Sequence, residues 1–153
     1  MKIGTIACAK AAVYALARLG LGALFIYAAL VKIGAPQDFA DALASYNFLP
    51  ASIINPIALS LPPFELSCGL LLLTRHFCAT GLLSVIGLLG VFLAALLWAA
   101  ARNLPVNCGC FGAVSVLDAG PGISLVRDGV LLLSAVLAYR HELRLRVTLS
   151  RMM

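Results

Sequence analysis

The run Asn107-Cys108-Gly109-Cys110-Phe111-Gly112 holds the two most closely spaced thiols of the sequence. Two cysteines one residue apart can close a small ring, and Gly109 relieves its backbone cost. A disulfide across so short a loop is strained and easily reduced, which suits exchange better than stapling. A structural disulfide stabilises more when it ties distant segments. A redox-active pair is therefore the leading reading, beside a structural pair and a two-coordinate soft-metal receptor. A closed zinc site wants four ligands, often with histidine. The two histidines, His76 and His141, fall at the far ends of their helices from this loop, so no closed, four-ligand metal centre is expected there.

The other cysteines are Cys8, Cys68 and Cys78, which makes five, an odd number that leaves at least one thiol unpaired in a monomer. Cysteine also packs as a small hydrophobe. Cys68 is the one of the three that could relay electrons, one helical turn from Glu65 on a shared face. Charges within apolar stretches are few. Arg18 is eight residues in from Lys10 and Glu65 ten in from Arg75. Similar depths predict an ion pair between them, either as a clamp or as a proton-handling site coupled to the thiols, since an isolated charge in hydrocarbon costs several kcal/mol. Arg127 and Asp128 make a second polar point near the cysteine loop. Arg127 could lower a thiol's pKa there or hold lipid headgroups.

These residues need a scaffold, and the composition names its solvent. Of 153 residues, 63% are hydrophobic and 11% charged. Soluble domains run near 45–50% apolar and about 25% charged. A water-soluble enzyme is excluded, and so is a disordered chain. Phe77 to Ala101 carries no formal charge, and at ~1.5 Å per residue it is long enough to cross ~30 Å of hydrocarbon. The charge spacing predicts one all-α membrane domain, 1–153, with four transmembrane helices near 11–32, 51–74, 77–101 and 121–140. Pro56, Pro62 and Pro63 should kink the second or delay its start. Residues 37–47 read as a short interfacial helix, its aromatics at headgroup depth, or else as a surface loop.

With four spans both termini share a side. That side collects Lys2, Lys10, Arg75, Arg140, Arg144, Arg146 and Arg151, against Lys32 and Arg102 on the other. The positive-inside rule puts both termini in the cytoplasm and the Cys-Gly-Cys loop outside it, where disulfides persist. Arg18 interrupts the first apolar run, so that run reads as a span and not as a cleaved leader. The basic end from Arg140 onward is expected against anionic headgroups. Glycines in the first and third spans permit close helix packing.

Several blocks carry a family resemblance. The first is Ala17-Arg18-Leu19-Gly20-Leu21-Gly22-Ala23-Leu24-Phe25, running on to Lys32. The second is Leu61-Pro62-Pro63-Phe64-Glu65-Leu66 with Gly69-Leu70-Leu71-Leu72. The third and fourth are Cys108-Gly109-Cys110-Phe111-Gly112 and Arg127-Asp128. In order and spacing the sequence resembles the MauE (methylamine utilisation protein) branch of the DoxX-like membrane proteins over nearly its whole length. The resemblance implies a four-helix membrane bundle in the bacterial inner membrane. It also implies thiol–disulfide traffic on the periplasmic face with a thioredoxin-like partner, in the maturation of disulfide-containing proteins. On this basis Cys108 and Cys110 are the reactive pair, with Arg18, Glu65, Arg127 and Asp128 as family-typical polar positions. Cys8, Cys68 and Cys78 fall outside that pattern.

The expected function is thiol–disulfide exchange through Cys108 and Cys110. Electrons could pass outward by way of Cys68, or pass from the partner to a membrane quinone, for which the sequence holds no motif. The alternatives are a small transporter or soft-metal carrier using Cys-Gly-Cys, and a non-catalytic accessory subunit. Oligomeric state is not legible, and no nucleic-acid partner is expected.

Overall fold

The computed structural model describes residues 2–47, 49–74, 76–102, 104 and 121–152. These residues form five helices and no strand: α1 (Lys2–Gly34), α2 (Pro36–Ser45), α3 (Ala51–Leu73), α4 (Cys78–Ala101) and α5 (Pro121–Met152). Ala12–Gly34, Ala51–Leu73, Cys78–Ala101 and Gly122–Leu145 are each long and apolar enough to cross a membrane. The side chains on their outer faces confirm the solvent: Leu16 is 72% exposed and Leu59 75%. Water would penalise such surfaces, whereas lipid tails accept them. The chain is a multi-pass membrane protein in contact with the bilayer.

The four long helices close into a ring in which α1 and α4 each pack on both α3 and α5. Register follows from pairs of contacts. Gly22 touches Gly69 while Lys32 meets Glu65, so α1 and α3 run antiparallel. Tyr14 meets Glu142 at one end of the bundle, while Lys32 and Asp128 share a cavity at the other, so α5 also runs against α1. Close approach of α1 and α3 depends on Gly69. A Cβ there would lie 2.8 Å from Ile26 Cγ1 and 3.0 Å from the Gly22 carbonyl oxygen.

The three prolines do not delay α3, which starts at Ala51 directly after Pro50 and runs through all of them. Ser60 and Ser67 donate to the carbonyls of Pro56 and Pro63, four residues back, at 2.7 and 2.9 Å. The segment 37–47 is indeed a helix, α2, with Pro36 in its first turn. It ends where Asn47 takes a positive φ of 54°, a conformation that asparagine tolerates. Two aromatics of this segment turn into the bundle. Phe39 and Tyr46 are buried, Phe39 with Ala40 against Ala58 of α3 and Tyr46 against Ala99 of α4. The amphipathic face of α2 covers the start of α3 because that is the apolar surface within reach of a ten-residue helix.

Candidate functional site

The buried face of α1 reads Leu21, Phe25, Ala28, Lys32, spaced by four, three and four residues. That spacing turns Lys32 into the bundle with its apolar neighbours. The same logic places Glu65 on the face of Ala58, Pro62 and Leu72, and Asp128 on the face of Ser124, Ala135 and Ala138. Lys32, Glu65 and Asp128 are 2%, 1% and 2% exposed. The Lys32 ammonium donates to both carboxylate oxygens of Glu65, at 2.6 and 2.8 Å. Arg127 Nε donates to Asp128 Oδ1 at 3.0 Å. The rings of Phe39 and Phe92 lie 4.9 and 5.1 Å from the ammonium and add cation–π attraction.

Lys32, Glu65 and Asp128 line one cavity with Leu24, Phe25, Ala28, Leu89, Phe92 and Leu131. All four spanning helices contribute to it. Its free space is about 20 Å³, room for roughly one water molecule. Two cations and two anions therefore share a nearly dry interior and balance each other. This arrangement can hold α1, α3 and α5 in register, and it can bind or pass a proton.

Arg18 does not pair with Glu65. With Gly22 opposite Gly69, Arg18 lies four residues to one side of that level and Glu65 four to the other, ~12 Å apart along the bundle. Helical side chains lean toward their own N-terminus. In antiparallel helices this carries Arg18 and Glu65 apart, and it brings Lys32 and Glu65 together. Arg18 is half-buried, and its Nε has no hydrogen-bond partner. Lys32, expected on the outer surface, is inside the bundle.

At the other end, Tyr14 donates to Glu142 Oε2 at 2.6 Å. Its oxygen lies 3.3 Å from Cys78 Sγ, so the thiol is the donor in that second bond. Tyr14 also stacks on His141, with ring centroids 4.8 Å apart. Sequence reasoning missed Lys32, Tyr14 and Glu142. The periodic burial of α1 was the available signal for Lys32. Cys68 and Cys78 are free thiols buried in one apolar core with Leu72, Leu82 and Val85. Cys108 and Cys110, and the side chain of Cys8, lie outside the described residues. No group of three metal-ligating side chains occurs among the described residues.

A family model described as methylamine utilisation protein MauE matches residues 10–140. No curated protein and no solved structure matches the chain.

Proposed function

Because the chain belongs to the MauE family, we propose that it is an inner-membrane thiol–disulfide exchange protein acting through Cys108 and Cys110. The observation that carries this reading is the Cys108-Gly109-Cys110 sequence in the connection between α4 and α5 of a MauE-family bundle. A thiolate of the pair attacks the disulfide of a thioredoxin-like partner and forms a mixed disulfide. The second cysteine resolves it. Two electrons and two protons pass to the partner, whose disulfide becomes a dithiol, while Cys108 and Cys110 become the disulfide. The reverse reaction runs through the same intermediate.

Two observations support the assignment. Cys68 and Cys78 are sealed in the core, which makes both unsuited to meeting a protein partner. With Lys32 inside the bundle, the Lys and Arg of the connections and ends divide seven against one, in favour of the side that bears the termini. That asymmetry supports cytoplasmic termini and a periplasmic cysteine loop.

Trapping tests the proposal. Cys108→Ser or Cys110→Ser, expressed in native membranes, should accumulate a mixed disulfide that runs high on a non-reducing gel and contains a thioredoxin-like protein. Failure of both variants to trap one, together with a Cys108–Cys110 potential below about −300 mV, would make the bond structural and end the reading.

A further inference from the structure

We propose that Glu65 is a reversible proton-binding site, loaded by an exchange of partners among Lys32, Asp128 and Arg127. The proposal stands independently of the thiol chemistry. Its starting point is charge balance. Lys32 and Arg127 offset Glu65 and Asp128, and the first, third and fourth of these are almost wholly buried. An uncompensated charge at this depth costs several kcal/mol. A loaded state must therefore keep the interior neutral as well.

The geometry offers one way to do so. A proton on Glu65 removes the anion that holds Lys32. Asp128 lines the same cavity, so the ammonium transfers to it. The rings of Phe39 and Phe92 flank the ammonium and stabilise it between the two carboxylates. Arg127 then gives up Asp128 and carries the excess positive charge outward. Its side chain is already 13% exposed, against 3% for Asp128. It lies six residues, ~9 Å, inside the start of α5, and helical side chains lean toward that end. An arginine stem of that length snorkels to headgroups. The interior then holds protonated Glu65 and the Lys32–Asp128 pair, with no net charge.

The surroundings isolate this exchange. From α2 the cluster meets Phe39, while Asp38 and Asp41 point to the surface. From α4 it meets Leu89 and Phe92, and from α3 the nearest other titratable group is Cys68, three residues from Glu65. On α1 the next cation is Arg18, fourteen residues from Lys32. The free space beside Glu65 admits about one water molecule, enough to deliver a proton.

Infrared difference spectra of the full chain in lipid nanodiscs, titrated from mildly alkaline to mildly acidic pH, provide the test. A protonated-carboxyl stretch should appear on acidification, shift in heavy water and vanish in Glu65→Gln. Its midpoint should move to higher pH in Arg127→Gln, whose interior starts with an excess anion, and to lower pH in Asp128→Asn, which lacks the receiving carboxylate. These two displacements decide the matter even if Glu65→Gln fails to fold. A band that survives in Glu65→Gln, no band at any pH where circular dichroism shows intact helices, or midpoints unmoved in both other variants would overturn the proposal.

Discussion

Lys32 and Glu65 are 33 positions apart, yet the ammonium sits within 2.8 Å of both carboxylate oxygens. The pair joins the last turns of α1 to the middle of α3. Its geometry follows from antiparallel packing and from the lean of each side chain toward its own N-terminus. Breaking one half of such a pair strands a buried charge, which costs about 3–5 kcal/mol, whereas removing both halves can be close to neutral. Lys32→Met should lower the unfolding midpoint in detergent sharply, and Glu65→Leu less so, because Asp128 in the same cavity can take up the ammonium. The double variant should be more stable than either single one. Costs that simply add in the double variant would mean that the two residues are not coupled.

The contact between α1 and α3 makes a steric prediction. In Gly69→Ala the new methyl meets Ile26 Cγ1 at 2.8 Å, the Gly22 carbonyl oxygen at 3.0 Å and the Ile26 nitrogen at 3.1 Å. Two of these are backbone atoms that cannot step aside without separating the helices. Overpacking of this kind costs about 1–3 kcal/mol. Gly20→Ala is the control, because nothing lies within 4 Å of its Cβ position. It should be neutral or stabilise by about 0.5–1 kcal/mol through helix propensity. Thermal unfolding of the two variants in one detergent gives the comparison, and equal effects would refute the close packing.

Cys68 and Cys78 are 2% and 1% exposed. A maleimide mass tag applied to intact membranes of a Cys8→Ser, Cys108→Ser, Cys110→Ser chain should leave both unmodified. Both should react once SDS opens the bundle. Rapid tagging of Cys68 in the native membrane would reveal an opening of the core and would favour a relay role for that thiol.

Much of the architecture could be read from charge spacing alone. The spans expected at 51–74 and 77–101 appear as Ala51–Leu73 and Cys78–Ala101, because Arg75 and Arg102 cannot enter hydrocarbon without a partner. The partner of Glu65 could not be read the same way. Depth counted from flanking cations ignores the direction in which a side chain leans, and that direction decides between Arg18 and Lys32. Lys32 itself looked like a surface charge because it ends an apolar run. Its position four residues after Ala28, on the face of Leu21 and Phe25, points inward instead. The burial of Asp128 depends on which face α5 turns to the bundle, and local sequence fixes that only weakly in a helix whose apolar residues favour no one side.

Tyr14 ties α1 to both α4 and α5 at the end of the bundle away from Lys32. Its hydroxyl donates to Glu142 and accepts from Cys78, while its ring stacks on His141. Tyr14→Phe keeps the stacking and loses both hydrogen bonds. A bond to a charged acceptor contributes about 1.5–3 kcal/mol, so a loss at the lower end of that range is expected where Glu142 can turn to water. His141→Ala keeps the hydrogen bonds and loses the stacking, at about 0.5–1.5 kcal/mol. The two contacts share the Tyr14 side chain, so their combined loss should fall short of additivity. Chemical unfolding of the two single variants and the double variant checks this. Strict additivity would mean that ring and hydroxyl act independently, each held by its own neighbours and not by the other.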